Sequence, residues 1–363
     1  MNGRVTMADI ARKAGVHLTT VSLALRDHPC LPAKTRERLQ RLAKQLGYQP
    51  DPAMSALVAY RHRRGPRKDQ PKIAYLTNWD TKLGWQESPA HREFFEGAKA
   101  KALSLGYQLE HFWLGEPGLS GRRMSDMLAT RGIKGLIVAS YRQAADSVRD
   151  FEWPKFSAVK IDFAPRELKL HMVTNDQGAI VRLAAQRVRA AGYRRVGLVM
   201  PRWWDEFVDL AWSAGFLAEQ QRVPSADRVP ILFYSTAQLP EGASGEAVDQ
   251  AVPAANLRKW LDVNKPEVIL SRGIFVRGSL AELGLVVPRD VAFADIFLEK
   301  TDGRVAGVRE NCIRVGAVAV EILAGQLHQN AMGVPVVPTA TFVEGTWFNG
   351  KTLPLRRRAG EPA

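Results

Sequence analysis

Apolar positions in this chain follow two regimes. Up to about residue 47 they recur at helical spacing in short segments broken by Gly and Pro, and from residue 72 short apolar runs alternate with longer helical stretches. In the first regime, Thr6-Met7-Ala8-Asp9 has the form of a capping box. The Thr6 oxygen accepts an orphan N–H, and Asp9 suits the positive helix end. Ile10, Ala11 and Ala14 then supply a small apolar stripe, and Gly15-Val16 breaks the helix. A second helix is predicted from about Leu18 to Leu25, with Val21 and Leu25 inward. Pro29 and Pro32 interrupt, and a third helix runs from about Ala33 to Leu46 with Leu39, Leu42, Ala43 and Leu46 on one face and Gly47 as its stop. Two helices joined by a tight Gly-containing turn and braced by a third form a helix-turn-helix, whose second helix normally enters the DNA major groove.

Beyond Gly47, Pro52 suits the first turn of a two-turn helix over Ala53–Tyr60, and a helix that short is marginal alone in water. A basic stretch, Arg61-His62-Arg63-Arg64-Gly65-Pro66-Arg67-Lys68, reads as a linker. From Lys72 strand and helix alternate. Strands are predicted at Ile73–Thr77, Gln108–Leu114, Gly135–Ala139 and Ala158–Ile161, with helices at about Arg92–Leu105 and Ser120–Arg131. A second series has helices Gly178–Ala191, Glu206–Gln221, Ala254–Val263 and Arg277–Leu283. Its strands are Val196–Met200, Ile231–Tyr234, Glu267–Leu270 and Val291–Ala294. This double alternation predicts an α/β fold with two doubly wound parallel sheets and a ligand site at the carboxyl ends of their strands, between the halves.

Charge sharpens the division. The 363-residue chain carries +14, and residues 1–72 hold 15 of the 51 Lys/Arg but only 5 of the 37 Asp/Glu. A local basic excess is the electrostatic footprint of phosphate-backbone binding. No apolar run is long enough to span a bilayer, and Met1–Arg4 leads into a polar periodic segment without a signal-peptide core. Cys30 and Cys312 fit neither a disulfide framework nor a zinc site, so a cytoplasmic protein is expected. The seven histidines show no metal-ligand spacing, and G-x-S-x-G, H-E-x-x-H, Walker and G-x-G-x-x-G motifs are absent. Neither an enzyme nor a cofactor or metal site is expected.

Val5-Thr6-Met7-Ala8-Asp9-Ile10-Ala11-Arg12-Lys13-Ala14-Gly15-Val16, then Thr20-Val21-Ser22, Ala33–Arg38 and Leu46-Gly47-Tyr48-Gln49-Pro50, stand in an order that resembles the head of the lactose/galactose repressor (LacI/GalR) family. The resemblance implies a DNA-binding set. Leu18, Thr19 and Leu23 fall where the family reads base edges, with His17 beside them. Thr6, Thr20, Ser22, Arg26 and Thr35 fall where it holds phosphates and register. Leucine makes no bidentate hydrogen bond to a base and contacts only apolar edges such as the thymine methyl, so DNA shape is expected to carry much of the readout. By the same resemblance Ala53–Tyr60 is a hinge helix, with Leu57 as the minor-groove wedge and Met54 beside it, where many members have alanine.

The core resembles the family more loosely, through Ala190-Ala191-Gly192-Tyr193-Arg194-Arg195-Val196-Gly197-Leu198-Val199 and Gly284-Leu285-Val286-Val287-Pro288-Arg289-Asp290-Val291-Ala292. These imply a two-lobed, periplasmic-binding-protein-like core. The expected organisation is a head over 1–50, hinge and linker over 51–71, and a core over 72–347. Lobe 1 would be about 72–172 and 312–337, lobe 2 about 173–311 and 338–347, with a tail over 348–363. Asp162 and Asp295 match carboxylates that hydrogen-bond sugars in family members. Arg272-Gly273 replaces the usual Asn-Asp pair, and Leu210 replaces a usual arginine. Arg272, if buried, favours an anionic ligand group, and Trp79, Trp203 and Trp204 follow strand ends where they can stack on a sugar face.

The resemblance therefore implies a repressor that binds double-stranded palindromic operator DNA as a homodimer. A small effector, a sugar or sugar acid, would set its affinity, with no membrane partner. The segment after Trp347 has no heptads for a tetramer bundle. Other readings stay open. A regulator of the same fold needs no effector, a nucleoid-type DNA binder shows little sequence preference, and a secreted solute-binding protein shares the core but lacks a basic head.

Overall fold

The structure is a computed structural model that describes residues 5–25, 31–48, 70–141, 148, 150–235 and 251–356. The chain divides into an N-terminal head and a core that begins at Gln70.

The head is three helices, α1 (Met7–Ala14), α2 (Leu18–Leu25) and α3 (Ala33–Gln45). The capping box forms. Asp9 N donates to Thr6 Oγ1 at 3.3 Å, and the Asp9 carboxylate accepts from Thr6 N at 2.9 Å and from the Thr6 hydroxyl at 2.6 Å. Gly15 closes α1 at φ 66°, a left-handed backbone that glycine adopts without a Cβ penalty. Ile10, Ala11, Val21, Ala24, Leu39 and Ala43 fill the interior. Ala24, rather than the expected Leu25, is fully enclosed, and Leu25 packs at the rim. Gln40 ties α3 to α2 by donating to Ala24 O at 2.9 Å. The expected hinge helix, with Met54 and Leu57, the basic linker and Arg26 lie outside the described residues.

The core is α/β with two six-stranded sheets, as expected. In sheet 1, β1 (Lys72–Asn78), β2 (Gln108–Trp113), β3 (Gly135–Tyr141), β4 (Ser157–Ile161), β5 (His171–Asn175) and β11 (Ala340–Val343) run parallel in the order β11-β5-β4-β3-β1-β2. In sheet 2, β6 (Val196–Pro201), β7 (Leu232–Tyr234), β8 (Val268–Ser271), β9 (Ala292–Asp295) and β10 (Ala306–Arg309) are parallel, and β12 (Thr346–Phe348) joins β10 antiparallel. Strands covered on both faces are apolar throughout rather than alternating. β1 feeds two cores at once. Ala74 and Leu76 join Phe112, Met124 and Leu136 on one face, and Ile73 and Tyr75 join Phe94 and Val315 on the other.

Sheet 1 packs against α4 (Pro89–Ser104), α5 (Gly121–Thr130) and α11 (Cys312–Gln329). Sheet 2 packs against α6 (Gln177–Ala190), α7 (Arg202–Phe207), α8 (Ala211–Gln220), α9 (Ala254–Asn264) and α10 (Gly273–Glu282). The chain passes between sheets after β5, after β10 and after β11, at residues 176, 310–311 and 344–345. The expected first and third crossings, near 172 and 337, are therefore too early. Val159 pairs with His171, and Val343 with Asn175, so β5 and β11 complete sheet 1 before the chain leaves it. Residues 348–356 are not a tail but the last packed segment of lobe 2. Phe293 N donates to Thr352 O at 3.0 Å, Leu353 is buried, and the Arg356 guanidinium lies 4.2 Å from the Tyr193 ring centroid. The helix expected over Glu206–Gln221 is two helices. Asp209 and Leu210 take φ of 58° and 62°, which ends one helix, and Asp205 Oδ1 accepts from Ser213 N at 3.0 Å inside the next.

Candidate functional site

Two surfaces carry candidate chemistry, one in the head and one in the cleft of the core. In the head, the turn Gly15–His17 delivers α2 with its N-terminus dressed by a side chain. The His17 ring Nδ1 shares a 2.8 Å hydrogen bond with Thr19 Oγ1, and Thr20 N and Val21 N donate to His17 O. Val21 and Ala24 turn inward, and His17, Leu18 and Thr19 are exposed, with Thr20, Ser22 and Leu23 half-buried. Leu18 is 45% exposed on the helix surface. Leu23 is half-buried and presents less surface than Leu18. Thr6 is exposed but committed to the capping box, and the half-buried Thr35 opens α3 with its N–H on Pro32 O at 2.9 Å. The exposed Lys34, Arg38, Arg41 and Lys44 make α3 a cationic helix, while Arg36 turns back to Leu31 O at 2.6 Å.

In the core, the cleft residues come from strand ends and from the crossings. Asp162 follows β4 with φ 68°, an unusual backbone for a non-glycine residue that commonly marks a functional constraint. Its carboxylate accepts from Thr174 Oγ1 at 2.6 Å, and desolvation pushes its pKa up to about 6 against that hydrogen bond. Asp295 ends β9 and accepts from Gly273 N at 3.0 Å and Phe297 N at 2.8 Å, and burial again lifts it to about 6. The Asp295 carboxylate, expected to contact a sugar, is thus engaged by backbone donors from α10 and its own loop.

Four residues that the sequence reading did not single out complete the cleft. Glu310, at the second crossing, is buried, and desolvation followed by the nearby Asp162 charge raises its pKa to about 8. Asn175, at the first crossing, donates from Nδ2 to Glu310 Oε2 at 3.2 Å. Arg309 reaches across the lobes to Glu93 of α4 at 2.6 Å and donates to Glu299 O, also at 2.6 Å. A small cavity lies among Glu93, Phe297, Glu299, Arg309, Glu310 and Cys312. Arg166, after β4, makes a second bridge. It pairs with Asp209 at 3.2 Å and donates to the Glu206 and Phe207 carbonyls, beside the place where Leu210 stands 49% exposed. Asn175 and Glu310 end or follow the short strands β5 and β10. Recognition of those strands would have flagged both residues, because ligand-facing groups follow strand ends in such sheets.

The remaining expected residues scatter. Arg272 does enter the cleft region, but its guanidinium pairs with Glu299 at 3.1 Å and lies 4.5 Å from the Phe297 ring centroid. Trp204 is a core residue. It stacks on Trp212 at 4.6 Å and meets Phe275 edge-on, so the expected sugar platform is turned inward. Trp203 is half-buried against the lobe 2 core, and Trp79 is buried against His91 with its carbonyl accepting from Trp113 Nε1. Among the described residues no three His, Cys, Asp or Glu side chains are grouped to hold a metal, and no helix is long and apolar enough to cross a membrane.

Residues 6–51 match the family model for bacterial regulatory proteins of the lacI family. The HTH-type transcriptional regulator Rv3575c of Mycobacterium tuberculosis is 29% identical over 204 residues, 55% of this chain and 53% of that protein. The chain thus spans about half the length of the curated relatives it matches first. Among solved structures, a Lac repressor dimer bound to operator and the anti-inducer ONPF superposes with a TM-score of 0.53 over 97% of this chain and all of that one, at 16% identity. A complex of the transcriptional regulator CelR with cellobiose gives 0.52 over 96% and 100%, at 17% identity. At these identities the structural likeness is one of fold.

Proposed function

We propose that this chain, which carries a lacI-family head on a two-lobed α/β core, is a sequence-specific transcriptional regulator. It acts as a repressor, binding a palindromic operator as a homodimer, with its affinity set by a small sugar-class ligand held between the lobes. The observation that carries the reading is α2. Its inward face is spent on Val21 and Ala24, its N-terminus is ordered by His17, and its outward face presents Leu18 and Thr19 to a partner. One eight-residue helix touches too few base pairs for specificity, and two heads on related half-sites supply the rest. The relatives point the same way, since one solved neighbour is bound to operator and another to cellobiose.

Regulation is linkage. A ligand that prefers one arrangement of the lobes changes operator affinity by its differential binding, typically about 5- to 150-fold. The test is selection of bound duplexes from a random pool by the full chain, followed by footprinting. An imperfect palindrome is expected, with affinity falling steeply between low and moderate salt. Leu57→Ala is expected to weaken that site far more than bulk DNA. Failure to enrich any palindrome, or equal losses on both kinds of DNA, overturns the reading.

A further inference from the structure

The cleft has a charge pattern that the sequence did not suggest. Glu93, Glu299 and Glu310 line the cavity, Asp162 acts on Glu310 and Glu299 on Asp295 from nearby, and among the described residues Arg272, Arg309 and the buried Lys160, held by the Phe163 and Pro165 carbonyls, answer them. Both arginines are already engaged. Arg309 is spent on Glu93 and on the Glu299 carbonyl, and Arg272 on Glu299 and the Phe297 face. A carboxylate ligand entering the cavity would therefore meet Glu93 and Glu310, with Arg272 and Arg309 already ion-paired to glutamates. An acidic cluster alone identifies no ligand, but two buried polar groups do ask for one. Asn175, 1% exposed, gives its amide N–H to Glu310 and to Cys312 Sγ, both of which line the cavity, and its Oδ1 has no partner. Arg272 Nε is a buried donor, likewise without a partner. A buried acceptor left unpaired costs about 1–3 kcal/mol. A ligand that supplies an N–H to Asn175 Oδ1 and an acceptor to Arg272 Nε would satisfy both groups.

We propose that the cleft takes a small hydroxylated ligand bearing a protonated amino group, with the chemistry of an amino sugar. Its ammonium would lie between Glu310, Glu93 and Asn175 Oδ1, and a hydroxyl would accept from Arg272 Nε. The proposal rests on the cleft being the effector site. The pairing of Arg272 with Glu299 and of Arg309 with Glu93 argues against the sugar acid that Arg272 suggested. A linked proton accompanies binding. Burial and the Asp162 charge hold Glu310 protonated up to about pH 8, and an ammonium neighbour draws that proton off. Asp162, Glu93, Arg272 and Cys312 are the other titratable groups facing Glu310, and Asn175 is its neutral donor.

The experiment titrates the full chain by calorimetry with glucosamine, glucose, N-acetylglucosamine and glucuronate near neutral pH, in two buffers of different ionisation enthalpy. Glucosamine is expected to bind at least about tenfold tighter than the other three, with proton release seen as a buffer-dependent heat. Glu310→Gln, checked for folding by its thermal transition, is expected to lose roughly thirtyfold in glucosamine affinity, and Glu93→Gln about tenfold. Glucose or glucuronate binding as tightly as glucosamine overturns the proposal, as does unchanged glucosamine affinity in both variants. Silence towards glucosamine and its galacto and manno isomers also overturns it. None of these outcomes touches operator selection by the head, which is read separately. A chain that selects a palindrome but ignores amines sinks only this inference, and one that binds glucosamine without selecting DNA sinks only the regulatory reading.

Discussion

Asp9 in the head and Glu310 in the core are carboxylates with a hydroxyl- or thiol-bearing neighbour within reach, yet their surroundings drive them in opposite directions. The Thr6 hydroxyl and backbone N–H hold the Asp9 carboxyl below its usual range, while desolvation, reinforced by Asp162, lifts Glu310. The head is small, has six enclosed apolar residues among those described, and keeps the Asp9 carboxylate in water, where hydrogen bonds favour the charged form. The core encloses its cleft between two large apolar clusters, where the cost of taking a charge out of water dominates. A surface that binds phosphates by long-range attraction can stay solvated. A cleft that discriminates small ligands needs groups held ready in a low dielectric, where each unmet charge or hydrogen bond counts for more.

The largest effect should come from the thin interior of the head. Leu39 is fully buried between α1 and α2, and Leu39→Ala is expected to cost about 2–5 kcal/mol, most of what so small a bundle has to lose. Circular dichroism melting of the full chain should show an early helical transition lost while the core transition stays in place. A matching fall in the core transition would break the comparison, because the two units would then melt as one.

The core should be vulnerable where backbones touch rather than where a side chain is deleted. A Cβ on Gly316 of α11 would sit 1.9 Å from Phe94 O of α4, and one on Gly97 of α4 would sit 1.9 Å from Ile313 O. The two glycines let these helices cross at backbone contact. Gly316→Ala forces them apart, at an expected cost of about 1–3 kcal/mol in the core transition alone. An unshifted core melt would mean that the crossing is looser than its geometry implies.

These two sites also separate what could be read from the sequence from what could not. Thr6, Asp9, Gly15 and Gly47 act within a turn of their own positions, so spacing alone located the head helices to within a residue or two. The long apolar strands of both sheets were equally legible. The strands β5, β10, β11 and β12, of three to five residues each, were not, because they take their apolar neighbours from elsewhere in the chain and carry little periodicity. The errors in the cleft follow from that gap. Asn175 and Glu310 sit at the ends of unread strands, Arg309 and Glu93 meet only through the lobe crossing, and Trp204 faces the core because Trp212 and Phe275 receive it. The pairing of Arg272 with Glu299 is likewise a contact between two loops.

A smaller effect is expected from the cap. Thr6→Ala removes the hydroxyl that orders the start of α1, at a cost of about 0.5–2 kcal/mol to the head. It also changes the acid response. With its folded pKa depressed, Asp9 contributes stability that is present above its ordinary value of 3.8 and is lost as pH falls through the lower folded value. The head transition of the parent should therefore sag in acid more than that of Thr6→Ala. Equal sag would show that the Thr6 bonds do not hold the Asp9 charge.

Glu310 should give the opposite sign. The unfolded chain releases the Glu310 proton near 4.5, whereas the folded chain keeps it up to about 8, so between those values the native state binds more protons. Stability contributed by this group must then fall as pH rises from about 4.5 to 8 and level off above. Other core carboxylates, such as Glu219, held low by the Gln186 hydrogen bond and then Arg189, and Glu321, held low by Lys101 and Arg314, slope the other way, so the parent curve alone cannot isolate the effect. Glu310→Gln can. The amide keeps an acceptor for Asn175 and cannot ionise, so at pH 5 parent and variant differ only by the cost of the amide itself. The gap in melting temperature between variant and parent should then shift in favour of the variant by pH 8, by roughly 5–10 °C if the carboxyl is as enclosed as its position implies. A gap that stays constant with pH would place the Glu310 carboxyl in contact with water, and the contrast between solvated head and enclosed cleft would fail at the residue where it is sharpest.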